Sequence, residues 1–467
     1  MKVATPSRAR RISGVLAGGL LAGLAMVAGP VGSASAQGCT TTWRAPVSGT
    51  WDTSSSWTNG VPTSASMACL PTYGPSYSVL GTGRLAAAGL YVGSHARLTL
   101  QSGPFSGGAA LTVGGNGLTN AGTIDSADTV GYGSYLGVDP GATLTNTGTV
   151  KLYGRVQLDA KVVNSSSGTV QVSPWGPGDR GYLRELRNDG GSLRVDPQAR
   201  LRLDRLDSIS TSGELGAGTY DVEGSVTLGT SQAPRVLTNS ADVTFTRSGA
   251  VTDAYGNDVF GLLSTNTVGG TLRLVRSSST FLRTLTNLGD LRLSGATLRA
   301  PGYVQAAGIT TLASGSDLGG GPVDVSGGSL VAGGTITGDL RNSALLRLDD
   351  AGATRLRVTG TYTQASDGIL GTYVGTKPVT CAAGTQPASC LQVGGAVTLD
   401  GTLGVMVDSA ASPAVGATYV LSTTPVSTTG RFQTVLPTFG PVPSGYGILP
   451  SSYARSVTLK VSRLPAP

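Results

Sequence analysis

The chain has 467 residues, with 33 Lys and Arg against 26 Asp and Glu, one His, four Cys and 71 Gly. A net charge of +7 over this length makes no dense cationic face, which argues against nucleic acid as a partner. With 39% hydrophobic residues and no G-x-y period, general disorder and collagen are excluded, and one His with scattered acids leaves most catalytic constellations without their parts.

Residues 1–36 read as a secretory signal: a basic region at Arg8-Ala9-Arg10-Arg11, an apolar stretch from Gly14 to Val27, then small residues ending Ala34-Ser35-Ala36. Cleavage is expected after Ala36. The segment takes away Lys2, Arg8, Arg10 and Arg11 and no acid, so the charge of the remaining 431 residues falls from +7 to +3. The apolar stretch is short and glycine-rich for a membrane anchor. Arg10-Arg11 keeps the twin-arginine route open beside the general one, and Ala36-Gln37-Gly38-Cys39 only loosely resembles a lipoprotein box. No later segment is long and apolar enough to span a bilayer, so the expected location is secreted or at the cell surface.

Residues 37–84 hold three of the four tryptophans, Trp43, Trp51 and Trp57, and two of the four cysteines, Cys39 and Cys69. Large rings here are expected to lid the end of a repeat structure, the alternative being an exposed sugar-stacking platform. Cys381 and Cys390 lie nine residues apart. The local pairings Cys39–Cys69 and Cys381–Cys390 close the shortest loops, although four cysteines allow three connectivities. No C-x-x-C spacing or nearby His points to a zinc site, and no metal or cofactor is expected.

Residues 85–357 repeat. Leu118-Thr119-Asn120-Ala121-Gly122-Thr123-Ile124 returns as Leu144-Thr145-Asn146-Thr147-Gly148-Thr149-Val150. Looser copies mark Asn164, Asn188, Asn239, Asn287 and Asn342. The asparagine gaps are 26, 18, 24, 51, 48 and 55 residues, the long ones about twice the short ones, as if alternate copies had lost the marker. Alternation such as Leu98-Thr99-Leu100, Leu272-Arg273-Leu274 and Leu291-Arg292-Leu293 predicts short strands with one apolar face. Asn and Gly are expected at tight corners, where a left-handed residue is needed. Short strands at this period predict an all-β chain folded as a parallel β-helix of eleven or twelve coils, roughly 55 Å long at ~4.8 Å per strand. A string of small β-sandwiches is the competing architecture, and the period is too short for it.

Residues 358–467 read as a distinct β-rich module. They carry Thr361-Tyr362-Thr363-Gln364, then Leu391-Gln392-Val393-Gly394-Gly395-Ala396-Val397-Thr398-Leu399-Asp400-Gly401-Thr402-Leu403. Gly416-Ala417-Thr418-Tyr419-Val420-Leu421 and Gly430-Arg431-Phe432 follow. This tract resembles the C-terminal end of autotransporter passenger domains and related bacterial surface β-helices. The early Trp51-x5-Trp57-x-Asn59-Gly60-Val61-Pro62 run is similar to the opening of such proteins. The resemblance covers about a quarter of the chain. It implies a right-handed parallel β-helix displayed or released outside the cell, often in adhesion. The 35 residues after Phe432 leave no room for the membrane β-barrel of that family. Five lysines against 28 arginines hint at a GC-rich bacterial genome.

Three places hold clustered polar or charged residues. Asp349-Asp350 ends a predicted strand. Asp253, Asn257 and Asp258 offer oxygens to a Ca²⁺ ion but lack a regular ligand series. The stretch 179–207 carries arginines 180, 184, 187, 194, 200, 202 and 205 and acids 179, 185, 189, 196, 204 and 207. Its balance predicts cross-strand pairs on the solvent face rather than an anion groove. His95 is isolated in a surface turn. No catalytic residue is assigned. The sequence predicts an exported, non-catalytic structural or adhesin-like protein, with a carbohydrate-active β-helix enzyme as the alternative. Its expected partners are a glycan or cell-envelope surface and further copies of itself.

Overall fold

Strands form where apolar and polar residues alternate. In Val156–Ser165 every second residue from Val156 to Asn164 is buried, while those between reach solvent in whole or part. Thr149–Tyr153 and Thr271–Val275 repeat the pattern. In the computed structural model, the described residues are 38–101, 108–127, 133–174, 176, 180–229, 235–348, 354–381 and 384–464. The proposed signal segment, Asp179, Asp349 and Asp350 lie outside them.

One coil passes through three strand positions. The chain runs through Asp290–Ser294, Thr297–Arg299 and Tyr303–Gln305, and then Ile309–Leu312 pairs in parallel with the first of these. At the first position, parallel pairing continues strand by strand from Gly49–Thr50 to Thr434–Val435. Each strand between these two is bonded to the coil before and the coil after, the arrangement of a β-solenoid. Nearer the start, Val156–Ser165 and Gly181–Asp189 run through the second and third positions as single strands, with a register shift between Leu158 and Lys161. The ladders cross Val358 without a break, since Arg355–Val358 pairs in parallel with Cys390–Val393.

The asparagines are the largest departure from expectation. They lie inside the solenoid, at the ends of third-position strands. Asn120, Asn146 and Asn164 are in register and fully buried, followed by Asn188. The side-chain amide of each donates to the next: Asn120 to Asn146 at 2.7 Å, Asn146 to Asn164 at 2.7 Å and Asn164 to Asn188 at 2.9 Å. A second column joins Asn239 to Asn266 at 2.8 Å, Asn266 to Asn287 at 2.7 Å and Asn287 to Gln305 at 3.0 Å. Asn342 donates to Gln364 at 2.9 Å. The strand spacing of ~4.8 Å brings identical amides on successive coils within bonding reach, as in other amide ladders. The same amides serve the corner: Asn146 Nδ2 also donates to the carbonyls of Gly148 and Thr169, both at 3.2 Å.

The left-handed role expected for Asn is therefore wrong. Among the described residues, the non-glycine ones with positive φ are Gln198, Arg247 and Arg276. Gly148 turns the corner for another reason, close approach: a Cβ there would sit 2.1 Å from the Gly122 carbonyl oxygen of the preceding coil. The long asparagine gaps also hold their coils. Leu215 is in register with Asn239, Asn266 lies between Asn239 and Asn287, and Gln305 and Val325 lie between Asn287 and Asn342.

Both ends differ from the middle. At the start, Trp43, Trp51 and Trp57 are 2%, 1% and 0% exposed, which makes them a lid and closes the sugar-platform reading. Trp57 packs edge-on against Trp43 and Trp51 with ring centroids 5.1 and 5.0 Å apart. At the other end Ser456–Arg463 pairs antiparallel with both Thr418–Thr423 and Tyr446–Tyr453, turning the ladder away from a continuing parallel edge. Cys39 is bonded to Cys69, and Cys381 to Cys390. Their sequence separations are 30 and 9 residues. Loop closure assigns about 3.5 kcal/mol to the first and about 2.5 kcal/mol to the second. In denaturant titrations Cys39→Ser/Cys69→Ser should therefore lose more stability than Cys381→Ser/Cys390→Ser. The opposite order would show that loop closure is not what the bridges contribute.

Candidate functional site

On the outer surface, charges pair along and between coils. Residues two apart on a strand share a face, and Arg194 meets Asp196 at 2.7 Å, Arg202 meets Asp204 at 3.2 Å and Arg187 meets Asp189 at 3.7 Å. Arg184 reaches Asp159 and Lys161 reaches Glu185 on adjacent coils, both at 3.2 Å. The stretch 179–207 is thus knitted mostly between residues two apart in sequence, where cross-strand pairs were expected. Exposed pairs of this kind contribute up to about 1 kcal/mol each.

Glu185 and Asp207 bring two carboxyls together within this stretch. Their side chains are 18% and 14% exposed, with Lys161 and Arg205 against them. Burial, and then the hydrogen bond and charge of Glu185, push Asp207 up to about 6. A carboxyl raised in the folded state binds its proton more tightly than in the unfolded chain. It therefore contributes most below about pH 4, and that contribution is lost as pH rises through about 6. In Glu185→Gln the Asp207 midpoint, followed by carboxyl NMR, should fall from about 6 toward the ordinary aspartate range. An unmoved midpoint would assign the shift to burial alone.

Asp253 is 1% exposed and caps its own loop. Its Oδ1 accepts from the amides of Tyr255 and Asn257, each at 2.8 Å, and its Oδ2 accepts from the Asn257 side chain at 2.8 Å and pairs with Arg235 at 3.5 Å. The Asn257 amide leads in holding this carboxyl below its usual value. Asp258 accepts from the Phe260 amide at 2.8 Å, and burial raises it. These oxygens are engaged by N–H donors, so the three residues make a loop cap rather than a ring of free cation ligands. His95 sits exposed in its turn, its Nδ1 donating to the Tyr73 carbonyl.

A groove opens on the outer face of the coils carrying Ser134–Val138, Val156–Ser165 and Gly181–Asp189. Its volume is about 380 Å³, and Tyr135, Arg155, Gln157, Arg180 and Tyr182 line it. Tyr135, Gln157 and Tyr182 are successive members of one register column. The phenol of Tyr182 donates to Asp204 at 2.6 Å, and that of Tyr135 to Asp159 at 3.4 Å, each reaching the next coil. Burial, then the bond to Asp204, pushes Tyr182 up to about 12, so its hydroxyl stays a donor at neutral pH. Tyr135 lies against Gly137, where a Cβ would come within 2.4 Å of its hydroxyl and 2.7 Å of its ring. The missing side chain makes room for the ring along the sheet. Sequence reasoning passed over this column. Its signal is a polar or aromatic residue recurring before leucine, in Ser134-Tyr135-Leu136, Val156-Gln157-Leu158 and Gly181-Tyr182-Leu183.

Two further grooves, of about 420 and 410 Å³, flank Arg357 on the outer face near the C-terminal end. Among the described residues, none of the three grooves has a carboxylate in its lining. No protein-family model and no curated protein sequence matches the chain.

Proposed function

We propose that this protein is an exported, non-catalytic rod that acts outside the cell as a structural or adhesive surface. In this reading residues 1–36 are removed on export and the solenoid coils right-handed, as crossovers between parallel strands do. The C-terminal tract's resemblance to bacterial surface β-helices supports this reading. The observation that carries the reading is the lining of the surface grooves, where arginine, tyrosine, glutamine and threonine stand and glycoside hydrolysis would need a facing pair of carboxyls. Two disulfides are compatible with an oxidising exterior, and no helix among the described residues is long and apolar enough to cross a membrane.

The test is to pass the chain from Gln37 onward over immobilised glycans and cell-wall polymers and to assay the same polymers for new chain ends. Retention with the polymer intact is expected. New reducing ends or unsaturated uronates would make it an enzyme and overturn the reading.

A further inference from the structure

The geometry points to the Tyr135–Gln157–Tyr182 groove as a binding site for a linear, carboxylate-bearing polysaccharide lying along the rod axis. The inference rests on the adhesive reading above and supplies its ligand class and contact residues.

Three features select this occupant. The two tyrosines stand two coils apart in one column, with Gln157 between them. At ~4.8 Å per strand that is about 10 Å, the length of an extended disaccharide, so sugars two apart in one chain meet the two rings. Both rings are anchored at the hydroxyl by a carboxylate of the following coil, which holds them along the axis rather than free to rotate. Those two carboxylates are themselves paired, Asp159 with Arg184 and Asp204 with Arg202, so they add little net negative charge beside the groove. The groove edge carries the exposed Arg180, and no acid stands among its described lining residues. Guanidinium groups bind carboxylates in paired, planar geometry, and Gln157 offers both a donor and an acceptor to sugar hydroxyls. Single-stranded nucleic acid also stacks on aromatics beside arginines. It is disfavoured because most arginines of the surrounding coils are tied to acids, which leaves no continuous cationic track.

The experiment is calorimetric titration of the chain from Gln37 onward with a hexamer of galacturonic acid, with cellohexaose as the uncharged control and a thymidine oligonucleotide as the competing class. Selective binding of the uronate hexamer is expected, weakening with salt. Arg180→Gln should cost at least about tenfold in affinity, a loss that corresponds to about 1.4 kcal/mol. Tyr135→Ala and Tyr182→Ala should do the same, while Tyr135→Phe and Tyr182→Phe, which keep the ring, should bind within about threefold of the parent. Thermal unfolding of each variant separates lost binding from lost fold, and Arg180→Gln serves where a tyrosine variant fails to fold. Uronate binding that none of these changes weakens would overturn the groove and leave the adhesive reading standing. Equal binding of cellohexaose, or tighter binding of the oligonucleotide, would overturn the ligand class. Absence of uronate binding overturns the proposal, and absence of retention on every polymer of the wider panel would take the glycan-adhesive reading with it.

Discussion

Asn146→Leu is expected to destabilise the solenoid by about 3–5 kcal/mol, far more than a leucine at the end of the same kind of column. Asn146 makes four connections: it accepts from Asn120 and donates to Asn164, Gly148 and Thr169. Leucine fills similar space and offers none of them. The Asn164 carbonyl oxygen and the Thr169 backbone carbonyl then lose a donor in a region where water does not reach, at about 1–3 kcal/mol for each orphaned group. Linked amides strengthen one another, so the loss reaches beyond one coil. Gln364 is the internal control. Its column ends there, because the next coil places Leu399 beside it in sequence position, and its Nε2 already lacks a partner among the described residues. Gln364→Leu should cost roughly 1–2 kcal/mol, because Asn342 keeps the Ile369 carbonyl as an acceptor and the buried Tyr362 hydroxyl is the one group orphaned. The comparison is read from denaturant midpoints, with hydrogen exchange to locate the opened coils. Equal losses for the two variants would show that the amides act as space-filling groups and the ladder adds nothing.

Trp57→Ala should cost about 4–5 kcal/mol and also change how the molecule associates. The ring is fully buried, its edge meets Trp43 and Trp51, and its Nε1 donates to the Trp51 carbonyl at 2.8 Å. Truncation removes the centre of the lid. The first coil then exposes apolar interior and a row of unpaired strand groups, the feature through which β-structures join edge to edge. A lower unfolding midpoint together with concentration-dependent light scattering is the expected pair of results. A lower midpoint with a strictly monomeric protein would mean that the short strands Thr41–Thr42 and Gly49–Thr50 protect the edge without the tryptophans.

The two predictions rest on residues that were visible in different degrees. The tryptophans announced a cap because three large rings crowd one end of a chain otherwise poor in aromatics. The asparagines announced a period, yet the reason assigned to them was wrong. A corner residue and a ladder residue leave the same mark in a sequence, an Asn before a glycine-rich turn. Which one it is depends on whether the next coil brings another amide to the same height. Asn266 and Gln305 escaped notice for a related reason. Asn266 follows Ser264-Thr265 rather than an aliphatic phrase, and a glutamine that replaces asparagine in the column looks like an unrelated polar residue.

The groove was less legible still. Tyr135, Gln157 and Tyr182 are separated by 22 and 25 residues, and the register shift between Leu158 and Lys161 alters the alignment of the strand after the column has passed. No local pattern places three such residues in one line. The charged stretch 179–207 drew attention instead, and most of its charges neutralise one another two residues apart along the chain.

By itself the sequence determined the all-β character, the repeat, the special nature of the two ends and the pool of cysteines, because each follows from local rules: alternation with period two, turn-forming glycine, and composition. The tertiary structure alone decided which asparagines stack, that the corner glycines yield to a carbonyl of the neighbouring coil, which charges cancel, and where a groove remains open. Those outcomes depend on register between strands some twenty residues apart. A shift of one residue sends every side chain of a strand to the opposite face, so register, and not residue type, separates a buried amide ladder from a polar surface.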